Sequence, residues 1–294
     1  MKEQVNIAAP AKINLTLKVA AKRTDGYHEL ETVMQQVDLC DKITIIAADE
    51  GLEVRSSSSE VPVDASNLAF KAAHLLCEKL GLNKGFHIYI DKKIPVGAGL
   101  AGGSTDAAAV LLGINEMLGC QLDLGTLLEL GLQVGSDVPF CILGGAALAR
   151  GRGEILDPLP PGPQLELLLV KPPLQLSTAE VYGELRLDEL NDQPDNRAFV
   201  EAWYKCDIIG LATQMKNDLE TVSIAKCPQI SVIKGRLVSL GAFHTLMSGS
   251  GPSVIGVFGD REAAIKAWRT IKEEYQESFL VHPISKGKGG MIDA

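Results

Sequence analysis

Nowhere does the 294-residue sequence hold the roughly 18 consecutive apolar residues that a membrane-spanning helix needs, and the apolar run 141–149 is far too short. No membrane partner is expected. The opening Met1-Lys2-Glu3-Gln4-Val5 lacks the apolar stretch and small-residue cleavage site of a secretory signal, so the expected compartment is cytoplasmic. Cysteine is scarce and scattered. Cys40, Cys77, Cys120, Cys141, Cys206 and Cys227 form no Cys-x-x-Cys pair and have no histidine at metal-ligand spacing, so they read as reduced thiols, mostly in the core, with no metal site among them. Lys/Arg-rich runs are also missing from a chain of net charge −9, which excludes the electrostatic footprint of a nucleic-acid binder. No fixed-period repeat appears, and the one low-complexity piece, Ser56–Ser59, reads as a loop tip.

What remains is 46% hydrophobic and 22% charged, enough to bury the core of one large domain or two ordinary ones. Residues Lys12–Ala20 alternate, with Ile13, Leu15, Leu17 and Val19 on one face and Asn14, Thr16 and Lys18 on the other, which predicts a half-buried strand. A second strand-like run, His28–Val37, follows Asp25-Gly26, a dipeptide suited to a tight hairpin. Further strands are expected at Lys42–Ala47 and Phe86–Asp91, and helices at Ser66–Gly81, Ser104–Leu118 and Thr126–Val134, each closing at a glycine. A Pro/Gly-dense loop at Asp157–Pro163 sets the expected domain boundary, giving units 1–160 and 161–294. The second half reads as a smaller α+β unit: strand Leu165–Val170, helices near Asn196–Tyr204 and Ala225–Leu240, a strand pair within Ala242–Phe258, helix Arg261–Tyr275 and a strand near Phe279–His282.

Between a strand and a helix lies Pro95-Val96-Gly97-Ala98-Gly99-Leu100-Ala101-Gly102-Gly103-Ser104-Thr105. Four glycines in seven residues cost backbone entropy, which points to a compensating role. Consecutive amides can turn into one concavity there, and the helix N-terminus adds partial positive charge, so the segment reads as a phosphate-binding loop. An acidic protein can hold phosphate in this way without a basic surface. Gly97-x-Gly99-x-x-Gly102 matches the dinucleotide fingerprint, but residues 119–125 read as a turn where that motif needs an acidic residue after a second strand. A Walker A loop would carry Gly-Lys-Ser/Thr, and Gly103-Ser104-Thr105 has no lysine, so any catalytic lysine comes from elsewhere.

Phosphoryl transfer to an alcohol needs a carboxylate to accept the hydroxyl proton and a cation for the phosphoryl oxygens. Asp137, in Gly135-Ser136-Asp137-Val138-Pro139-Phe140, and Lys12 at the start of the first strand are of these types, though spacing leaves open whether they meet. Tyr27 and His28 beside the hairpin turn can stack on and hydrogen-bond a planar ring. Ser248-Gly249-Ser250-Gly251-Pro252-Ser253 is either a plain turn or a wall of the same cleft.

Three of these segments, Pro10-Ala11-Lys12-Ile13-Asn14, Pro95 to Thr105 and Ser248 to Ser253, resemble the three motifs of the GHMP kinases, in order and across nearly the whole chain. Arg23-Thr24-Asp25-Gly26-Tyr27-His28 and the Asp137 segment are similar to one branch, which acts on a cytidyl diphosphate substrate in the non-mevalonate route to isoprenoid precursors. The resemblance implies an α+β two-domain fold: an N-terminal, nucleotide-binding domain of mixed α/β type (ribosomal protein S5 domain 2-like) and a C-terminal, substrate-binding, ferredoxin-like domain, with a cleft between. It implies ATP as co-substrate and Mg²⁺, with the loop wrapping the phosphates and Ser104 a contact to the metal. Asp137 would be the base for a 2-hydroxyl and Lys12 its partner. Asn14, Tyr27 and His28 would hold the cytidine end, with Tyr182 closing over the cytosine. Kinases of the same family for homoserine, mevalonate or a sugar, and a non-catalytic sensor on the same fold, are the alternatives. Oligomeric state is not legible.

Overall fold

The computed structural model describes residues 2–119 and 122–285; Cys120 lies outside them. The chain opens with β1 (Gln4–Asn14), β2 (Lys18–Lys22), β3 (His28–Ala48), β4 (Leu52–Ser56), helix α1 (Leu68–Leu80) and β5 (Gly85–Asp91). Next come α2 (Gly102–Leu118), α3 (Leu124–Val134), α4 (Val138–Leu143), β6 (Ala146–Gly151) and β7 (Ile155–Leu159). Strand β3 is the spine: β2 and β1 pair along one of its edges, β6 and β5 along the other. Helices α1 to α4 bury their apolar sides on one sheet face through Ile43, Ile45, Phe86, Ile88, Leu111 and Phe140. Local punctuation sets the ends: the Asn67 side chain accepts from the Ala69 amide at the start of α1, and Gly81 closes it at φ +61°.

The second unit contains β8 (Glu166–Val170), α5 (Thr178–Glu184), α6 (Asn196–Lys205), α7 (Ile208–Gln214), α8 (Glu220–Lys226), α9 (Gln229–Ser239), β9 (His244–Met247), β10 (Val254–Phe258), α10 (Arg261–Glu274) and β11 (Ser278–Val281). Its sheet is antiparallel, in the order β11-β8-β10-β9. One face packs on α9 and α10 through Ile230, Ile233, Ala264 and Ile271. On the other face Leu167, Leu169 and Val257 share a core with Ala11, Ile13 and Val33 of the first sheet and with Phe199 and Trp203 of α6. The α+β, two-unit architecture expected above is therefore present, with its halves joined by a common apolar layer.

Several elements differ from their sequence expectation. Lys12–Ala20 is not one strand: β1 ends at Asn14, the Leu15 amide still donates to Val33 O at 2.8 Å, and Leu17 pairs with the second half, its amide donating to Lys216 O at 2.9 Å and its carbonyl accepting from the Asp218 amide at 2.9 Å. Its polar face is not solvated either, because Lys12, Asn14 and Thr16 are all buried. His28–Val37 and Lys42–Ala47 are two parts of the single strand β3. Helix α2 begins two residues early, taking Gly102 and Gly103 into its first turn. The 157–163 loop starts late, since β7 runs to Leu159; as the outer neighbour of β6 it tolerates Pro158. Pro228 splits the Ala225–Leu240 segment into α8 and α9.

Candidate active site

The site begins with a change of face in β1. Val5, Ile7 and Ala9 pack under the helices, whereas Ala11 and Ile13, of the same parity, pack toward the second sheet. The register irregularity with β3 falls between Pro10 and Lys12, where the reversal occurs. Lys12 and Asn14 are thereby turned to the side from which α4 approaches. The Lys12 ammonium donates to Asn14 Oδ1 at 2.8 Å and stands 3.5 Å from Asp137 Oδ2. Lys12 is 5% exposed, while the Asp137 side chain is 36% exposed and faces the cleft as the residue preceding α4.

Asn14 is itself held. Its side-chain amide donates to Thr32 Oγ1 at 2.8 Å, and its backbone amide donates to Ser248 Oγ at 3.3 Å. That same hydroxyl donates to Gly99 O at 3.1 Å, so Ser248 ties β1, the glycine loop and the β9–β10 turn together. Gly99 sits at φ +74°, and a Cβ there would come within 2.4 Å of Ser248 O. Only glycine fits so close an approach in a left-handed conformation.

Helix α2 points its start at the cleft. Its first internal bond runs from the Thr105 amide to Ala101 O at 2.9 Å, and no side chain among the described residues caps it. The amides of Gly102, Gly103 and Ser104 therefore stand free of helical partners. Ala101, directly before them, holds φ +55°, strain of the kind that persists where surrounding structure enforces it. These groups fit a polyphosphate: several amides at a helix start, with glycines that let oxygen approach.

Lys12, Asn14, Asp137 and the glycine loop line one cleft of about 870 Å³, which also receives Tyr27, His28, Tyr182 and Arg152. The His28 and Tyr182 rings lie 5.3 Å apart at 31°, and the Arg152 guanidinium lies over the Tyr27 ring at 4.8 Å. Burial, with Lys22 nearby, holds His28 below its usual pKa, and burial with Asp137 nearby pushes the Tyr182 phenol up; both favour neutral rings. Of the residues expected from sequence, Lys12, Asn14, Tyr27, His28, Tyr182, Asp137 and Pro95 to Ser104 line this cleft. Thr105 is the exception, buried in the core with its amide used inside α2. Arg152, on the β6–β7 turn, had no sequence signal beyond its flanking glycines. Lys92 and Asp106 also line the cleft; burial pushes the Asp106 carboxyl up to about 8, against the opposing ammonium of Lys92. Among the described residues no group of three or more His, Cys, Asp or Glu is placed to hold a metal ion.

An anion loop and a lysine–aspartate pair opening on one cleft define a small-molecule kinase. Residues 67–145 match the model of the GHMP kinases N terminal domain, and residues 200–277 match GHMP kinases C terminal. The chain belongs to the GHMP kinase family. A Syntrophomonas wolfei protein named 4-diphosphocytidyl-2-C-methyl-D-erythritol kinase is 53% identical, across 96% of this chain and 99% of its own. A namesake from Acetivibrio thermocellus is 44% identical across 96% of this chain and 100% of its own. The crystal structure of a 4-(cytidine 5'-diphospho)-2C-methyl-D-erythritol kinase superposes with a TM-score of 0.81 at 33% identity, covering 95% of this chain and 98% of that one.

Proposed function

We propose that this chain transfers the terminal phosphoryl group of ATP to the 2-hydroxyl of 4-diphosphocytidyl-2-C-methyl-D-erythritol, a step in non-mevalonate isoprenoid synthesis. The observation that carries the reading is the Lys12–Asp137 pair, 3.5 Å apart, opening on the cleft that also holds the glycine loop. Near-full-length relatives of that name support the choice of alcohol.

In this reading Asp137 accepts the 2-hydroxyl proton as the alcohol oxygen bonds to the phosphorus and the bond to the ADP oxygen breaks. Lys12, fixed by Asn14, orients the carboxylate and offers charge to the phosphoryl oxygens. The amides of 97–104 cradle the phosphates. Mg²⁺, when bound, would neutralise charge on the phosphate oxygens, with the Ser104 hydroxyl as its protein contact. Tyr182 and Tyr27 offer faces for the cytosine, and His28 and Asn14 offer hydrogen bonds. Arg152, over the Tyr27 ring, adds a cation at that end. Residues 1–160 form the nucleotide unit and 161–294 the substrate unit, although Tyr27 and His28 extend the cytidine site into the first. We place the enzyme in the cytoplasm, acting on small molecules rather than nucleic acid or membrane; among the described residues no helix is long and apolar enough to cross a bilayer.

Incubation with ATP, Mg²⁺ and the cytidyl substrate, followed by phosphorus NMR, tests this. The expected result is ADP and one new phosphomonoester on the erythritol carbon 2. Turnover only with homoserine, mevalonate or a sugar would overturn the substrate, and ATP binding without any product would favour a sensor.

A further inference from the structure

Beneath the glycine loop lies an ionic cluster that the chemistry above does not use. Asp41 of β3 is fully buried, and its Oδ1 accepts from the backbone amides of Lys93 and Ile94, the latter at 2.8 Å. Its Oδ2 is paired with the Lys92 ammonium, which also donates to Asp106 Oδ2 at 2.9 Å. Residues 92–94 lead into the loop from β5, and Asp106 lies in the first turns of α2, on the far side of the loop. A Cβ on Gly102 would stand 2.9 Å from the Lys92 nitrogen, so the ammonium sits directly under the first residue of α2.

A buried ammonium and two buried carboxyl groups are an expensive way to hold a turn, because desolvation consumes most of their mutual attraction and an apolar cluster of equal volume is often as stable. What they supply that an apolar cluster does not is direction: two amides, one ammonium and two carboxyl groups hold both ends of the loop at one separation. We propose that Asp41, Lys92 and Asp106 are positioning residues, a clamp across the glycine loop that sets its width for the phosphates of the nucleotide. The inference rests on the reading of that loop as the ATP site. Asp41 does not line the cleft, so its effect on nucleotide binding passes through the clamp alone.

The test is full-length enzyme with Mg²⁺, assayed for KM of each substrate and for binding of a non-hydrolysable ATP analogue by calorimetry. Asp41→Asn, which removes the charge and sets an amide donor against donors, is expected to raise KM for ATP about tenfold, the equivalent of about 1.4 kcal/mol. KM for the alcohol substrate should stay within about twofold, as no member of the clamp lies at its end of the cleft. Asp106→Ala is expected to do the same, whereas Asp106→Asn, which retains an acceptor for Lys92, should recover KM for ATP to within about threefold. Should Asp41→Asn fail to fold, the Ala/Asn pair at Asp106 decides. Lower thermal stability with both KM values unchanged in the folded variants would overturn the clamp and leave a merely structural cluster. No analogue binding by the wild-type enzyme would instead remove the ATP reading beneath it.

Discussion

The Lys12 ammonium stands 3.5 Å from the Asp137 carboxylate, across a gap between a strand and a short helix that are 125 residues apart in sequence. Lys12 is almost wholly buried, and its ammonium is held by Asn14 on one side and Asp137 on the other. Replacing it with methionine of similar length removes the cation and leaves Asp137 partly solvated, so the fold should survive. Turnover is expected to fall about 10²- to 10³-fold, the usual cost of losing one preorganised group facing transition-state charge. Steady-state kinetics alongside thermal unfolding check both halves of that statement.

Gly99 gives a prediction of the opposite kind, on stability first. Alanine there meets a left-handed backbone and a carbonyl 2.4 Å away, with Ser248 as the element that must move. Gly99→Ala should lower unfolding free energy by about 1–2 kcal/mol for the conformation alone, plus the cost of the displaced turn. The soluble fraction should also bind ATP more weakly, measured by urea unfolding and calorimetry on the same preparation.

At the far end of the cleft, Tyr182 lies 5.3 Å from His28, ring to ring. Stacking of a base on an aromatic side chain is worth about 1–3 kcal/mol by alanine substitution. Tyr182→Ala should therefore raise KM for the cytidyl substrate about 5- to 150-fold and leave KM for ATP unchanged, while Tyr182→Phe should behave like the wild type. Equal changes in both constants would move Tyr182 out of the cytosine site.

Thiol chemistry tests the core directly. Burial pushes Cys141 and Cys77 up, and burial with Asp38 and Asp41 nearby pushes Cys40 up to about 11. A raised thiol pKa lowers the thiolate fraction at neutral pH, so these residues should resist iodoacetamide at pH 8, with Cys40 labelled only as pH approaches about 11. Exposed Cys206 should be alkylated first, as peptide mass spectrometry of the five described cysteines would reveal.

The parts of this fold legible in sequence are the ones set locally. Asp25-Gly26 marks the β2–β3 hairpin, Gly81 and Gly119 stop their helices, and the glycine loop lies between its strand and its helix, because turn and cap chemistry act over a few residues. The burial of Lys12 was not legible. It depends on β1 changing faces at Pro10–Lys12 and on Leu17 pairing with Asn217, a contact spanning two thirds of the chain. Arg152, Asp41 and Lys92 were missed for the same reason: each is an unremarkable charged residue until the sheet register brings it to the cleft or under the loop. Pro228 was a local signal, and its helix break could have been read from the sequence.

The proposed role of Asp137 is to accept the hydroxyl proton. Single-turnover kinetics of Asp137→Asn, with ATP and the cytidyl substrate both saturating, measure that role apart from binding. The expected result is a folded variant with near-normal affinity for both ligands and a phosphoryl-transfer step slowed about 10²- to 10⁴-fold. A transfer step within a few-fold of the wild type would contradict it.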